Sequence, residues 1–176
     1  MKKQLPAYVV LCVIALAAGL LLSLTNALTQ DSIAAQNAAS ANAARMEALP
    51  GAETFEEMEA SANVDALFEG KAGETLVGYV ASKTVKGYGG DIEVVVGMDL
   101  TGVVTGVSVG GSDFSETAGL GAKTKEDAFT SQFDGLTETA VLKGNIDSVT
   151  GASISSGAVV DGVNACREEM LPLVKE

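Results

Sequence analysis

The sequence predicts an α+β fold, in which a single N-terminal transmembrane helix precedes a compact domain with a small antiparallel sheet and packed helices. Three observations predict it. Ala7 to Leu28 is an apolar run without charge that, at about 1.5 Å per residue, spans roughly the hydrocarbon thickness of a bilayer. β-Branched stretches between Leu76 and Val109 are joined by short turns, as in a meander. Near the C-terminus Val159, Val160, Val163, Cys166 and Met170 recur at helical spacing.

The N-terminal element is read first. No charged residue occurs from Gln4 to Gln30; Lys2 and Lys3 precede the run and Asp31 follows it. The positive-inside rule puts the N-terminus in the cytoplasm and the remainder outside. A cleaved signal peptide, with Ala41-Asn-Ala43 as its processing site, is the competing reading. That site lies too far beyond the apolar run, so a retained anchor is expected. Thr25 to Leu49 is rich in Ala, Gln, Asn and Ser, which predicts that the helix continues outward as a stalk until Pro50-Gly51 ends it. The expected organisation is therefore 1–6 cytoplasmic, 7–28 spanning, 29–50 helical stalk and 51–176 extracytoplasmic domain.

Within the domain, strands are expected over Leu76–Lys83, Ile92–Val96 and Val103–Val109, with Asp99-Leu-Thr-Gly102 as a turn. Thr124-x-x-Asp127 predicts the start of a short helix through Phe133, and Glu138–Leu142 a further short strand. The final helix is expected from about Ser155 towards Leu173, with Ser155 and Ser156 as N-cap candidates.

Composition narrows the chemistry. With no His among 176 residues, His-based catalytic triads, His-ligated haem and His zinc sites are excluded. A net charge of −12 and the lack of any basic cluster argue against nucleic acid. Cys12 falls in the apolar run and Cys166 on the apolar face of the last helix, so the two are expected as separate buried thiols rather than a disulfide. No metal site is expected.

Two glycine-rich stretches invite nucleotide readings and fail them. Lys86-Gly-Tyr-Gly-Gly-Asp91 has Ile92 where a dinucleotide fingerprint needs its third glycine. Glu116-Thr-Ala-Gly-Leu-Gly-Ala-Lys123 has Ala122 before the lysine and no leading strand, so it is not a P-loop. Locally they read as a tight turn and a surface loop.

The segment Asp147-Ser-Val-Thr-Gly-Ala-Ser-Ile-Ser-Ser156 carries the most chemistry. Gly151 and Ala152 leave little bulk, so a ligand could approach the backbone. A hydroxyl beside a helix N-terminus is well placed for phosphate, which the unpaired N–H groups and the dipole favour. A plain Ser-rich helix cap accounts for the same residues.

Asp147-x-x-Thr150-Gly151-Ala152-Ser153 resembles the flavinylation motif Asp-x-x-(Ser/Thr)-Gly-Ala-(Ser/Thr) of the FMN-binding domains in Rnf and Na⁺-translocating NADH:quinone reductase complexes. Gly87-Tyr-Gly-Gly90, Glu116-Thr-Ala-Gly-Leu-Gly121 and Ala48-Leu-Pro-Gly-Ala-Glu-Thr-Phe55 resemble the G subunit of the Rnf electron-transport complex in the same order, with Ala118 where that family has Pro. The resemblance implies FMN joined through its phosphate to the hydroxyl of Ser153 by a flavin transferase that reads Asp147. Thr150, Gly151 and Ala152 would shape the approach, and Glu116, Thr117, Leu120 and Gly121 would line the flavin. It implies a membrane-bound electron-transfer protein with no catalytic residues of its own, working with the other membrane and peripheral subunits of an Rnf-type complex between ferredoxin and NAD⁺. A membrane-anchored exported flavoprotein of another reductase, or an acidic binding domain without flavin, remain alternatives.

Overall fold

The computed structural model describes residues 6–174; Lys2, Lys3 and Gln4, on which the expected orientation rests, lie outside them. The chain divides into two units, Met1–Ser40 and Ala41–Glu176. Helix α1 (Ala7–Ala48) is long and apolar enough to cross a membrane, and none of its most apolar window is buried against the protein. Its two threonine hydroxyls, those of Thr25 and Thr29 around the end of the apolar run, bond to the helix's own carbonyls. The Thr25 hydroxyl donates to the Leu21 carbonyl at 2.8 Å and that of Thr29 to the Thr25 carbonyl at 3.0 Å.

Beyond α1 come β1 (Thr54–Met58), β2 (Ala66–Ala72), β3 (Thr75–Lys86), β4 (Asp91–Asp99) and β5 (Val104–Gly110). They form one antiparallel sheet in sequence order, so each strand pairs with the one before it. The turn between β4 and β5 is built by Asp99, whose carboxylate accepts from the Thr101 N–H (2.8 Å), the Thr101 hydroxyl (2.6 Å) and the Val103 N–H (3.0 Å). Then follow a 3₁₀ turn (Gly121–Lys125), α2 (Asp127–Thr130), a second 3₁₀ turn (Ser131–Phe133) and α3 (Ser153–Met170).

The strand alternation gives the sheet two buried faces. Ile92, Val94, Val96 and Met98 of β4 point to the side covered by α3, whose Val159, Val163, Cys166 and Met170 are fully buried. Val159, Val163 and Met170 each contribute about 1.5–3 kcal/mol by leaving water. Phe129 and Phe133 close this core edge-to-face, 5.6 Å between ring centres. The opposite face, with Phe68, Val80 and Val95, receives Ala48, Leu49 and Ala52. Gly97 of β4 and Gly106 of β5 are directly paired there, and a Cβ on Gly97 would run into the Ala48 carbonyl. The last turn of α1 thus lies against bare backbone. The Thr105 hydroxyl donates to Ala48 O at 2.6 Å, Ser108 to Glu47 Oε2 at 2.7 Å, and the Arg45 guanidinium sits 3.9 Å over the Phe68 ring.

Several local expectations change. Strands β1 and β2 have no counterpart in the sequence reading. No strand forms over Glu138–Leu142; the Asn145 side chain accepts from the Val141 N–H at 2.7 Å and donates to the Thr139 carbonyl at 3.1 Å, curling the segment into a loop with a lone bridge between Leu142 and Ile146. Thr124 is not a cap: it is buried inside the first 3₁₀ turn, with its hydroxyl donating to Gly121 O at 2.7 Å. The last helix starts at Ser153 behind Ala152, with no side-chain cap, so Ser155 and Ser156 lie in its first turn. Cys12 and Cys166 are both free; Cys166 is buried, and burial first, then the nearby Asp65 carboxylate, pushes its thiol up to about 12 despite the opposing effect of Lys83.

Candidate functional site

The loop after β5 and the loop before β4 are joined by one side chain. Glu116 Oε1 accepts from the backbone N–H groups of Tyr88 (2.8 Å) and Gly89 (3.2 Å). Gly87 is required at this crossing, since a Cβ there would overlap the Glu116 carboxylate. Downstream, the Thr117 carbonyl accepts from the N–H groups of Leu120 and Ala122, each at 3.1 Å, which folds Glu116–Gly121 into a tight wall.

The second wall is the start of α3. Its approach, Asp147–Ala152, is held by side chains from two helical segments. Gln132 accepts from the Asp147 N–H at 2.7 Å and donates to the Asp147 carbonyl at 3.4 Å. Ser156 Oγ accepts from the Val149 N–H at 3.1 Å. Gly151 then takes φ +79°, a left-handed conformation that favours glycine, and the chain enters α3. The first N–H groups of the helix, at Ser153, Ile154 and Ser155, have no intrahelical acceptor by helix geometry.

Between the walls lies a cleft of about 440 Å³. Glu116, Thr117, Leu120 and Gly121 line one side and Gly151, Ala152 and Ser153 the other. Seven of the eight residues picked from the sequence meet here. Thr150 is exposed and does not line the cleft. Tyr88, Ile154 and Ser155 complete the lining and were not assigned to a site from sequence. Tyr88 sits in the Gly-Tyr-Gly-Gly stretch, read there as a turn; only its apposition to Glu116, 28 positions away, brings it to the cleft. Asp147 opens instead onto a second, smaller cleft of about 290 Å³ with Lys123, Phe129 and Gln132.

The main cleft has two chemical zones. Its rim carries large apolar side chains that face water, Tyr88 (74% exposed), Ile154 (61%) and Leu120 (44%), which suits a flat aromatic ligand. Its base is polar and closed. Glu116 Oε2 and Ser155 Oγ are buried there without a partner among the described residues. Both flank Gly121: a Cβ at that position would overlap Glu116 Oε2 and lie 3.1 Å from Ser155 Oγ. At the edge, the exposed Ser153 hydroxyl stands beside free helix N–H groups, a setting for phosphate. An apolar rim, a polar base and an edge that favours an anion thus meet in one cleft.

Comparison with known proteins points the same way. Residues 87–168 match the FMN-binding domain family. The chain is 34% identical over 180 residues to the G subunit of the Na⁺-translocating ferredoxin:NAD⁺ oxidoreductase complex of Acetobacterium woodii, covering 88% of this chain and 86% of that one. It is 33% identical over 169 residues to the G subunit of the ion-translocating oxidoreductase complex of Methanosarcina acetivorans, covering 89% of each. Among solved structures it shares its fold with the C subunit of the Na⁺-translocating NADH-quinone reductase of Parabacteroides distasonis, with a TM-score of 0.50 and 17% identity over 63% of each chain.

Proposed function

The chain belongs to the family of G subunits of ion-translocating oxidoreductase complexes, and we propose from that premise that it carries electrons inside such a membrane complex on an FMN esterified to Ser153. The observation that carries this reading is the shared cleft. The Ser153 hydroxyl, on the first residue of α3, opens onto the same space as the Glu116–Gly121 wall, although the two are far apart in sequence.

Bound FMN supplies one- and two-electron redox chemistry at its ring. The residues of this chain do the rest. Ser153 Oγ would hold the flavin through its phosphate, and the free N–H groups at the α3 N-terminus would favour that phosphate's charge. Gly151 and Ala152 keep the approach open. Leu120, Ile154 and Tyr88 shield the ring from water, and Thr117 offers a polar contact on the same wall. Thr150 acts through the turn that presents Ser153 rather than through contact. Asp147, facing the neighbouring cleft, is left free for a flavin transferase to read. Esterification fixes the cofactor to the protein while leaving the ring free to exchange electrons with the partner subunits.

We propose further that residues 7–28 span the membrane and, because Lys2 and Lys3 precede the apolar run, that the N-terminus is cytoplasmic and the domain lies outside. Protease added to spheroplasts should degrade the domain, and a protected domain would reverse the orientation. For the cofactor, the protein is expressed with a flavin transferase and examined by intact mass and by fluorescence of the denatured band. The wild type gains the mass of one FMN phosphoester and fluoresces; Ser153→Ala does neither. Fluorescence that survives Ser153→Ala and disappears in Ser155→Ala or Ser156→Ala would move the ester to that hydroxyl.

A further inference from the structure

The base of the cleft holds two polar atoms that the tether does not use. Ser155 is 1% exposed, and its hydroxyl has no partner among the described residues. Glu116 Oε2 is likewise buried and unpaired among them, while its sister oxygen is fixed by Tyr88 and Gly89. Leaving a buried hydroxyl and carboxylate oxygen unpaired is costly, so a ligand group that satisfies both is strongly favoured there. Both atoms lie close to Gly121, whose lack of a side chain lets the Glu116 carboxylate pack there beside Ser155.

Resting on the reading that FMN occupies this cleft, we propose that Glu116 and Ser155 form a two-point receptor for one hydroxyl of the flavin's ribityl chain. That hydroxyl donates to Glu116 Oε2 and accepts from Ser155 Oγ. Position and chemistry select the polyol over the ring. A hydroxyl is both donor and acceptor at a single atom, which is what two facing partners around one small gap require. The two atoms are buried, whereas the apolar surfaces suited to a flat ring are at the exposed rim. Ser155 also lies two residues from the proposed ester, within the reach of the chain that leaves the phosphate. The pair acts by positioning: it fixes the linker and thereby the place of the ring.

The test compares flavinylated full-length protein with the unflavinylated form of each variant. Intact mass reports attachment, thermal unfolding the gain in stability on flavinylation, and infrared difference spectra the ring carbonyls. Glu116→Gln is the informative change at that position, because it keeps Oε1 as acceptor for Tyr88 and Gly89 and turns Oε2 into a donor. Ser155→Ala should remain flavinylated yet lose most of the thermal gain shown by the wild type, whereas Glu116→Gln, across which both hydroxyls can reverse their direction, should keep more of it. Ser155→Thr, which retains a hydroxyl, should keep it. The double variant should lose at least as much as Ser155→Ala, since without the Ser155 hydroxyl the bonds cannot reverse. An undiminished thermal gain in flavinylated Ser155→Ala would overturn the receptor alone. Ring carbonyl bands that move in Ser155→Ala would reassign the pair to the ring edge and overturn it as well. A wild type that gains no flavin mass would overturn the cofactor reading and, with it, this one.

Discussion

Replacing Gly121 with alanine should damage the flavin's surroundings without preventing its attachment. The added Cβ overlaps Glu116 Oε2 and lies 2.8 Å from Glu116 Cδ and 3.1 Å from Ser155 Oγ. A free carboxylate would swing aside, but this one is held through Oε1 by two backbone N–H groups. Moving it breaks both bonds. Hydrogen bonds to charged acceptors are each worth about 1.5–3 kcal/mol, so the loss is about 3 kcal/mol even at the lower end. For a domain of this size that corresponds to a melting point roughly 10 °C lower. Ser153 stands on the other wall, so intact mass should still show one FMN. The altered wall should change the flavin absorption spectrum and its midpoint potential, read by redox titration of the flavinylated protein. A Gly121→Ala protein with wild-type melting, spectrum and potential would mean that Glu116 is not fixed where it stands and that this wall does not define the ring's environment.

Three other perturbations follow from the packing. Gly97→Val should cost the upper end of about 1–3 kcal/mol, because the new side chain meets the backbone of Ala48 rather than a movable group; thermal unfolding reads it, and an unchanged melt would contradict the close approach of the α1 terminus. Asp99 shows a sign-defined pH effect. Burial alone would raise its carboxyl, but the bonds from Thr101, Val103 and Gly102 outweigh that and hold it below its ordinary 3.8. Its contribution is therefore present above that ordinary value and lost as pH falls through the depressed one. Asp99→Asn should lower stability by about 1 kcal/mol at neutral pH and make no difference at strongly acid pH; a pH-independent difference in urea unfolding would refute this. Cys166, pushed up to about 12, should resist iodoacetamide at pH 8 until the domain unfolds, and rapid labelling of the native protein would show that α3 does not seal it.

Strands β3 to β5 were legible in the sequence through their β-branched runs and the turn between them, and helix α3 through the helical spacing of its apolar residues. Ile92, Val94, Val96 and Met98 alternate, and Val159, Val163, Cys166 and Met170 repeat every turn or so. Strand β1 lacks such a signal: Glu56 and Glu57 are both exposed, so no alternation marks it. In β2, Gly70 interrupts the pattern and is there because a side chain would strike Leu49, a contact no local window reveals. The serines after Ser153 looked like caps because hydroxyls favour that position, but Ala152 takes it. Ser156 is instead drawn inward to the Val149 N–H, and Ser155 into the cleft. The motif resemblance assembled most of one lining, while Tyr88 and Ser155 depend on which loop lies against which, and that is set by tertiary contacts.

An open sheet has two edges, and each is a template on which another chain can add a strand. The outer edge here is β1, five residues long, with Glu56 and Glu57 exposed along it. Lys71 of β2 already engages Glu56 at 2.6 Å and Glu69 at 3.3 Å, so no unpaired cation of that strand is left to welcome an incoming acidic edge. A second copy arriving edge to edge would set carboxylate against carboxylate, which destabilises the pairing. At the other edge the first residue of β5 is occupied: Val104 donates to the Leu136 carbonyl at 3.0 Å and accepts from the Gly135 N–H at 2.9 Å. The same acidity that makes β1 faint as a strand in the sequence thus sets like charge against a second copy approaching along that edge.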